Sequence, residues 1–226
     1  MLAVGNDVVD LENPDALGRS LDERFVRRVF LPEEQRLIFR DRDPDCILWV
    51  LWAAKETAYK IISKSCPSVH SGPLKYRVNL EETSLFPQRS PDLRSGHFTC
   101  QVETPVGLLM IGAQTGRCCV HAFGSRGDPL SGGALHLKVF RLDHSCVRDR
   151  DESGVVRSAL GRYLSRYWQI PFARIDIRRD LNDRGWGPPV VYVDGTRAPV
   201  DTSLSHHGRY GAFALFTGGC RPSIFS

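Results

Sequence analysis

Residues Ile47–Ser63 read ILWVLWAAKETAYKIIS. At 100° per residue, Ile47, Val50, Leu51, Ala54, Ala58, Ile61 and Ile62 gather on one side, which predicts a helix over roughly Cys46–Ser63 lying on a hydrophobic core. Glu56 lies diametrically opposite, with Trp52 and Lys60 one turn away on either side. The stripe Trp52–Glu56–Lys60 therefore faces away from the core. Read as a solvated face, it is ordinary: a Glu-to-Lys i,i+4 pair contributes only about 0.3–0.5 kcal/mol. Trp52 fits that reading less well, because a large aromatic on a polar face points to a cleft or a second layer.

Elements on both sides of this helix define an α+β chain. Before it come a short apolar strand, Leu2–Leu11, interrupted by Gly5, Asn6 and Asp7, and a capping box at Ser20-Leu-Asp-Glu23 that opens a helix carrying Phe25, Val26, Val29 and Phe30. Leu31-Pro-Glu-Glu34 then restarts a helix, with proline in its first turn and acids at its positive end. After it come strand-like runs near Leu74–Leu80, His97–Val102, Gly107–Ala113 and Cys118–Phe123. Gly124–Gly133 (GSRGDPLSGG) is dense in Gly, Ser and Pro and reads as a linker. Beyond it lie an alternating strand Leu135–Leu142 and a helix Asp151–Trp168 with Val155, Ala159, Tyr163 and Tyr167 on one stripe. Strands follow at Ala173–Ile177, Val190–Asp194, Thr202–Leu204 and Tyr210–Phe216. Each half runs strand, helix, strands, and Cys118–Phe123 and Tyr210–Phe216 are alike as closing strands. That pattern implies two similar α+β lobes packed as a pseudo-two-fold dimer, over residues 1–123 and 134–226, with 124–133 between them.

Composition narrows the function classes. At 226 residues, 42% hydrophobic and 25% charged, the chain can bury a sizeable core and does not read as disordered. No apolar run approaches the ~18 residues needed to span a bilayer. The first ten residues lack a basic segment and carry acids early, unlike a secretory signal. The seven cysteines are odd in number and form no CxxC, so no zinc site or disulfide framework is indicated, and reduced thiols in the cytoplasm are the expectation. The net charge of +4 comes from 25 Arg and 5 Lys, and three of the lysines, Lys55, Lys60 and Lys64, fall within ten residues. Mild basicity suits an anionic ligand or an acidic protein partner. No basic run is interleaved with stacking aromatics, so nucleic acid is not the expected partner.

Asp7 is the second unusual residue, because Asp is depleted from strands. Asn6 and Asp7 could form a turn, and Asp10 could cap a following turn. Alternatively Asp7 points into a cleft as a hard oxygen ligand. One carboxylate from a strand and one from a helix, with open positions, suits Mg²⁺, which keeps several waters and is usually completed by substrate phosphates. Period-2 geometry puts Asp7 and Val9 on one face and Asp10 on the other, so Asp7 and Glu56 can converge while Asp10 does not ligate.

Together, Gly5-Asn-Asp7-Val-Val-Asp10 and Trp52-Ala-Ala-Lys55-Glu56-Thr-Ala-Tyr-Lys60 resemble the paired signature of 4′-phosphopantetheinyl transferases: G-x-D, then W/F-x-x-K-E-x-x-x-K some forty residues later. Residues 1–123 resemble the C-terminal half of the two-lobed Sfp-type enzymes. In the second half, Arg157-Ser-Ala-Leu-Gly-Arg-Tyr-Leu164 resembles the Arg-containing helix of the other lobe. Ser203-Leu-Ser-His-His-Gly-Arg-Tyr210 resembles its S-H-S-G-R-W/Y segment. In this chain the two halves stand in exchanged order, as in a circular permutation, which requires Leu2 and Phe216 to lie close together. Two departures are visible: Val9 stands where the family carries a further acid, and Gly187-Pro188-Pro189 stands where it carries G-K-P, with Arg184 a substitute for the missing lysine.

The resemblance implies an enzyme that moves phosphopantetheine from coenzyme A to a serine of an apo acyl or peptidyl carrier protein, releasing 3′,5′-ADP. It assigns Asp7 and Glu56 to Mg²⁺ and makes Glu56 the acceptor of the serine proton. Lys60, with Lys55 a weaker candidate, holds a phosphate oxygen. Ser205, His206 and Arg157 contact coenzyme A from the other lobe. It also implies a monomer whose Arg24, Arg27, Arg28, Arg36, Arg40 and Arg42 steer an acidic carrier. His206-His207 before Gly208 reads equally as a surface turn, and Arg157 equally as an exposed helix residue. Two other functions use the same residues: a Mg²⁺-dependent phosphohydrolase, and a catalytically silent module that binds coenzyme A or a carrier.

Overall fold

The computed structural model describes residues 3–81, 96–127, 133–142, 151–182 and 185–218. Strand β1 (Ala3–Asp10) leads to helices α1 (Glu23–Val29), α2 (Pro32–Arg40) and α3 (Pro44–Ser65). Strands β2 (Arg77–Glu81), β3 (Gly96–Thr104), β4 (Gly107–Thr115) and β5 (Cys119–Arg126) follow. These strands form one antiparallel sheet in the order β1-β5-β4-β3-β2. Next come β6 (Ala134–Arg141), α4 (Glu152–Trp168), β7 (Ile175–Asn182), β8 (Gly185–Val193), β9 (Thr196–Arg197), β10 (Val200–His207) and β11 (Tyr210–Thr217). They supply two three-stranded sheets, β10-β11-β6 and β7-β8-β9. One buried cluster lies between α3 and the five-stranded sheet. A second joins Leu160 and Leu164 of α4 to Ile177, Val191, Phe213 and Leu215 of the smaller sheets.

All seven apolar residues of the α3 stripe are buried. The helix is also covered on its far side, where α1 brings Phe25 to 6.1 Å from Trp52, ring centre to ring centre. Trp52 is thus the base of a second layer. Helix α3 crosses β1 at Gly5, where any β-carbon would come within 2.5 Å of Thr57 O and 2.8 Å of Ile61. The missing side chain lets helix and strand approach closely.

Strand β1 has β5 on one side only, so its outward amides and carbonyls need other partners. Strand β10 runs alongside it in the same direction, with a constant offset of 197 residues, and meets those amides with side chains. Val4 N donates to Asp201 Oδ2 (2.6 Å), Asn6 N to Ser203 Oγ (3.1 Å) and Asp10 N to His207 Nδ1 (3.0 Å). Two lysines of α3 take the carbonyls: Lys64 Nζ donates to Val4 O (2.7 Å) and Lys60 Nζ to Asn6 O (2.9 Å). The spacings agree, since two strand residues advance about 6.7 Å and four helical residues about 6 Å.

Several boundaries differ from the sequence reading. The cap of α1 is Asp22, whose carboxylate accepts from Phe25 N (2.9 Å), while Ser20 lies in a 3-10 turn and donates its amide to Asp45. Residues 73–75 form a 3-10 turn, so the strand read from Leu74 begins at Arg77. Strand β5 continues through Arg126, past the start of the stretch read as a linker. Helix α4 buries Val156, Leu160, Leu164 and Trp168, one residue on from the stripe at 155, 159, 163 and 167.

Candidate functional site

Asp7 and Val9 share the face of β1 that Gly5 turns toward α3, while Asp10 lies on the opposite face. Asp7 therefore meets Lys60, whose Nζ lies 2.8 Å from Asp7 Oδ1. Glu56, one turn before Lys60, is half-buried beside them. Its carboxyl is raised above the usual range, first by burial and then by the Asp7 charge, with Lys60 pulling the other way. Two of the three Lys60 N–H groups are spent on Asn6 O and Asp7, which leaves one for a ligand.

This pair of carboxylates suits a small hard cation. The Asp7 charge pushes against ionisation of Glu56, and Asp7 Oδ2 makes no hydrogen bond among the described residues. No cluster of three or more His, Cys, Asp or Glu side chains able to hold a metal is present among the described residues. An ion here would take two protein carboxylates, and water or substrate oxygens would fill the other positions.

Asp10 takes no part. It is buried, accepts Arg209 Nε (2.8 Å) and Nη2 (2.7 Å), and also accepts the Arg209 and Glu12 amides. Burial alone would raise its carboxyl, but the bonds from Arg209 and Glu12 outweigh it and hold the group at about 2. Gly208, at φ +54°, makes the approach possible, because a β-carbon there would lie 2.6 Å from Asp10 Oδ2.

A cleft of about 790 Å³ opens beside Lys60. One wall is α3, through Tyr59, Lys60, Ser63 and Lys64; the others come from α4, β7, β8 and β10. Arg157 and His206 line it together with Lys60, so three of the sequence candidates share one cavity. His206 Nδ1 lies 2.8 Å from Glu152 Oε2, and Arg157 donates to Ser153 Oγ (2.8 Å).

Two candidates lie elsewhere. Ser205 is 5% exposed and its Oγ accepts from Asn6 Nδ2 (2.9 Å), because on β10 residues 205 and 207 turn toward β1 while 204 and 206 turn toward the cleft. Lys55 is 2% exposed and pairs with the fully buried Glu34 (2.8 Å). It also donates to Pro73 O and Tyr76 O, while Glu34 accepts from Leu31 N and Val78 N. That closed network ties α2, α3 and β2 together and leaves no donor for an anion. Burial lowers the Lys55 ammonium and Glu34 partly restores it. Arg184 lies outside the described residues.

The cleft also holds residues that the sequence reading did not select: Lys64, Arg179 and Trp186. Lys64 is anchored to Asp201 (2.7 Å), and burial lowers its ammonium. Trp186 stands directly before Gly187-Pro188-Pro189, and all four residues lie within strand β8. On the outer surface, Arg24, Arg27, Arg28, Arg36, Arg40 and Arg42 are all exposed, beside exposed Leu17, Leu21 and Phe39. No helix among the described residues is long and apolar enough to cross a membrane.

No curated protein matches the chain. The family model of the 4′-phosphopantetheinyl transferase superfamily matches residues 3–101, the span that carries Asp7, Glu56 and Lys60.

Proposed function

We propose that this protein transfers 4′-phosphopantetheine from coenzyme A to a serine of an apo acyl or peptidyl carrier protein, in a Mg²⁺-dependent reaction that releases 3′,5′-ADP. The carrying observation is that Asp7, Glu56 and Lys60 converge beside a cleft also lined by Arg157 and His206. Phosphoryl transfer asks a protein mainly for positioning and charge neutralisation. Asp7 and Glu56 would hold the ion, which would supply positive charge against the phosphates of the substrate. Lys60 gives its third N–H to a phosphate oxygen. Glu56, raised by burial and by Asp7, accepts the serine proton as that oxygen attacks the β-phosphorus. His206 and Arg157 hold the nucleotide end from the opposite wall.

The two separate cores support two α+β lobes, with the site at their seam. Leu2 lies outside the described residues; what supports the exchanged order of the halves is that Val4 bonds Asp201, which pairs in register with Phe216. The exposed arginines around α1 and α2, with Leu21 and Phe39 among them, suit an acidic helical carrier. Intact-mass measurement of apo carriers incubated with coenzyme A and Mg²⁺ tests the reading. A carrier heavier by one phosphopantetheine is expected. Coenzyme A consumed without a carrier would instead identify a hydrolase, and tight coenzyme A binding without turnover a silent binding module.

A further inference from the structure

Strand β1 carries an asparagine on a face whose flanking residues, Val4 and Val8, are apolar. Asn6 is fully buried, and its Oδ1 has no hydrogen-bond partner among the described residues. A buried polar atom without a partner costs stability. Asn is also depleted from strands, and a valine would avoid both costs. What Asn6 supplies instead is connection. Its carbonyl accepts Lys60 Nζ (2.9 Å) from α3. Its amide donates to Ser203 Oγ (3.1 Å) and its side-chain Nδ2 to Ser205 Oγ (2.9 Å), both on β10. Ser203 and Ser205 flank Leu204 and lead into His206, and Leu204 and His206 line the cleft. One residue therefore holds the anchor of Lys60 on one wall and the segment that carries His206 on the other.

Strands β1 and β10 belong to different sheets, so side chains set how far one sits along the other. A single buried Asn fixes register between coiled-coil helices at a cost in stability, and the same physics applies to two strands that share no ladder. Asn6 also directly precedes Asp7, so the register it sets is felt at the carboxylates. We infer that Asn6 is a positioning residue: through Ser203 and Ser205 it holds the Lys60 wall and the His206 wall at one spacing, so that a ligand spanning the cleft meets both aligned. This rests on the coenzyme A reading above and adds what aligns the two sides of that site.

Calorimetry on the full chain with coenzyme A and Mg²⁺, beside urea unfolding, tests it. Asn6→Val and Ser205→Ala each remove the side-chain link and leave the backbone bonds of residue 6 in place. Each should weaken coenzyme A roughly 5-fold or more, and Ser205→Ala should lower the unfolding midpoint by leaving the Asn6 amide without its acceptor. The double variant leaves neither partner stranded, so its midpoint should return toward wild type. Its coenzyme A affinity should stay as low as in the weaker single variant, because the link is still missing. Wild-type-like affinity in both single variants overturns the inference. So does affinity that recovers together with the midpoint in the double variant, which would mark a purely structural pair, and so do losses that simply add. Wild-type protein that binds no coenzyme A overturns the coenzyme A reading and this inference with it.

Discussion

Asp10 and Arg209, 199 residues apart in the chain, are joined by two parallel side-chain hydrogen bonds of 2.8 and 2.7 Å, and Arg209 adds its own backbone amide. The carboxylate is 2% exposed and the guanidinium 34%. Arg209→Ala leaves a buried carboxylate without its main counter-charge and should lower stability. Urea unfolding measures it. An unchanged midpoint would mean the fork contributes no more than a surface pair.

Acid should destabilise the protein in two stages. His121 is buried between Asn6 and Phe123, and burial, with Lys60 nearby, lowers its imidazole to about 4. The unfolded chain therefore takes up the proton first, and stability falls as pH drops from about 6.5 to about 4, by on the order of 3 kcal/mol. Asp10, held at about 2, keeps its contribution above its ordinary range and loses it as pH falls further toward 2. Urea midpoints at pH 7 and 4.5 check the first stage, and His121→Gln should flatten that interval.

Asp7→Ala and Glu56→Ala should each slow carrier modification by roughly 10² or more. Mass-spectrometric rate measurements at saturating Mg²⁺ decide, and near-normal rates in either variant contradict its assigned role.

Lys55 and His206 should separate cleanly. Lys55→Met strands the buried Glu34 carboxylate and should lower stability by about 3–5 kcal/mol with no specific effect on coenzyme A affinity in the folded fraction. His206→Ala should weaken coenzyme A several-fold while leaving the unfolding midpoint near wild type. The reverse pattern would place Lys55 at the ligand.

The α3 stripe was legible because helical periodicity and burial agree over five turns, and the Asp7–Glu56–Lys60 convergence followed from period 2 on the strand and period 3.6 on the helix. Lys55 was not legible. Its neighbour Glu56 marks the site, but 100° of rotation turns Lys55 toward Glu34, a residue twenty-one positions away on another helix. Ser205 was misplaced for a related reason: strand alternation assigns two faces without saying which meets the cleft. Arg179 and Trp186 come together only through the β7–β8 register and its shift, which no local pattern encodes.

The seam between β1 and β10 is closed by hydroxyl, carboxylate, imidazole and ammonium groups instead of a main-chain ladder. Such a junction is written entirely in replaceable side chains, so drift in sequence can loosen or tighten it without disturbing either sheet. It also shields what would otherwise be an open template: were the halves to part, the bare flank of β1 would be free to recruit a strand from another molecule. Keeping the halves together thus guards against self-association as well as shaping the crevice.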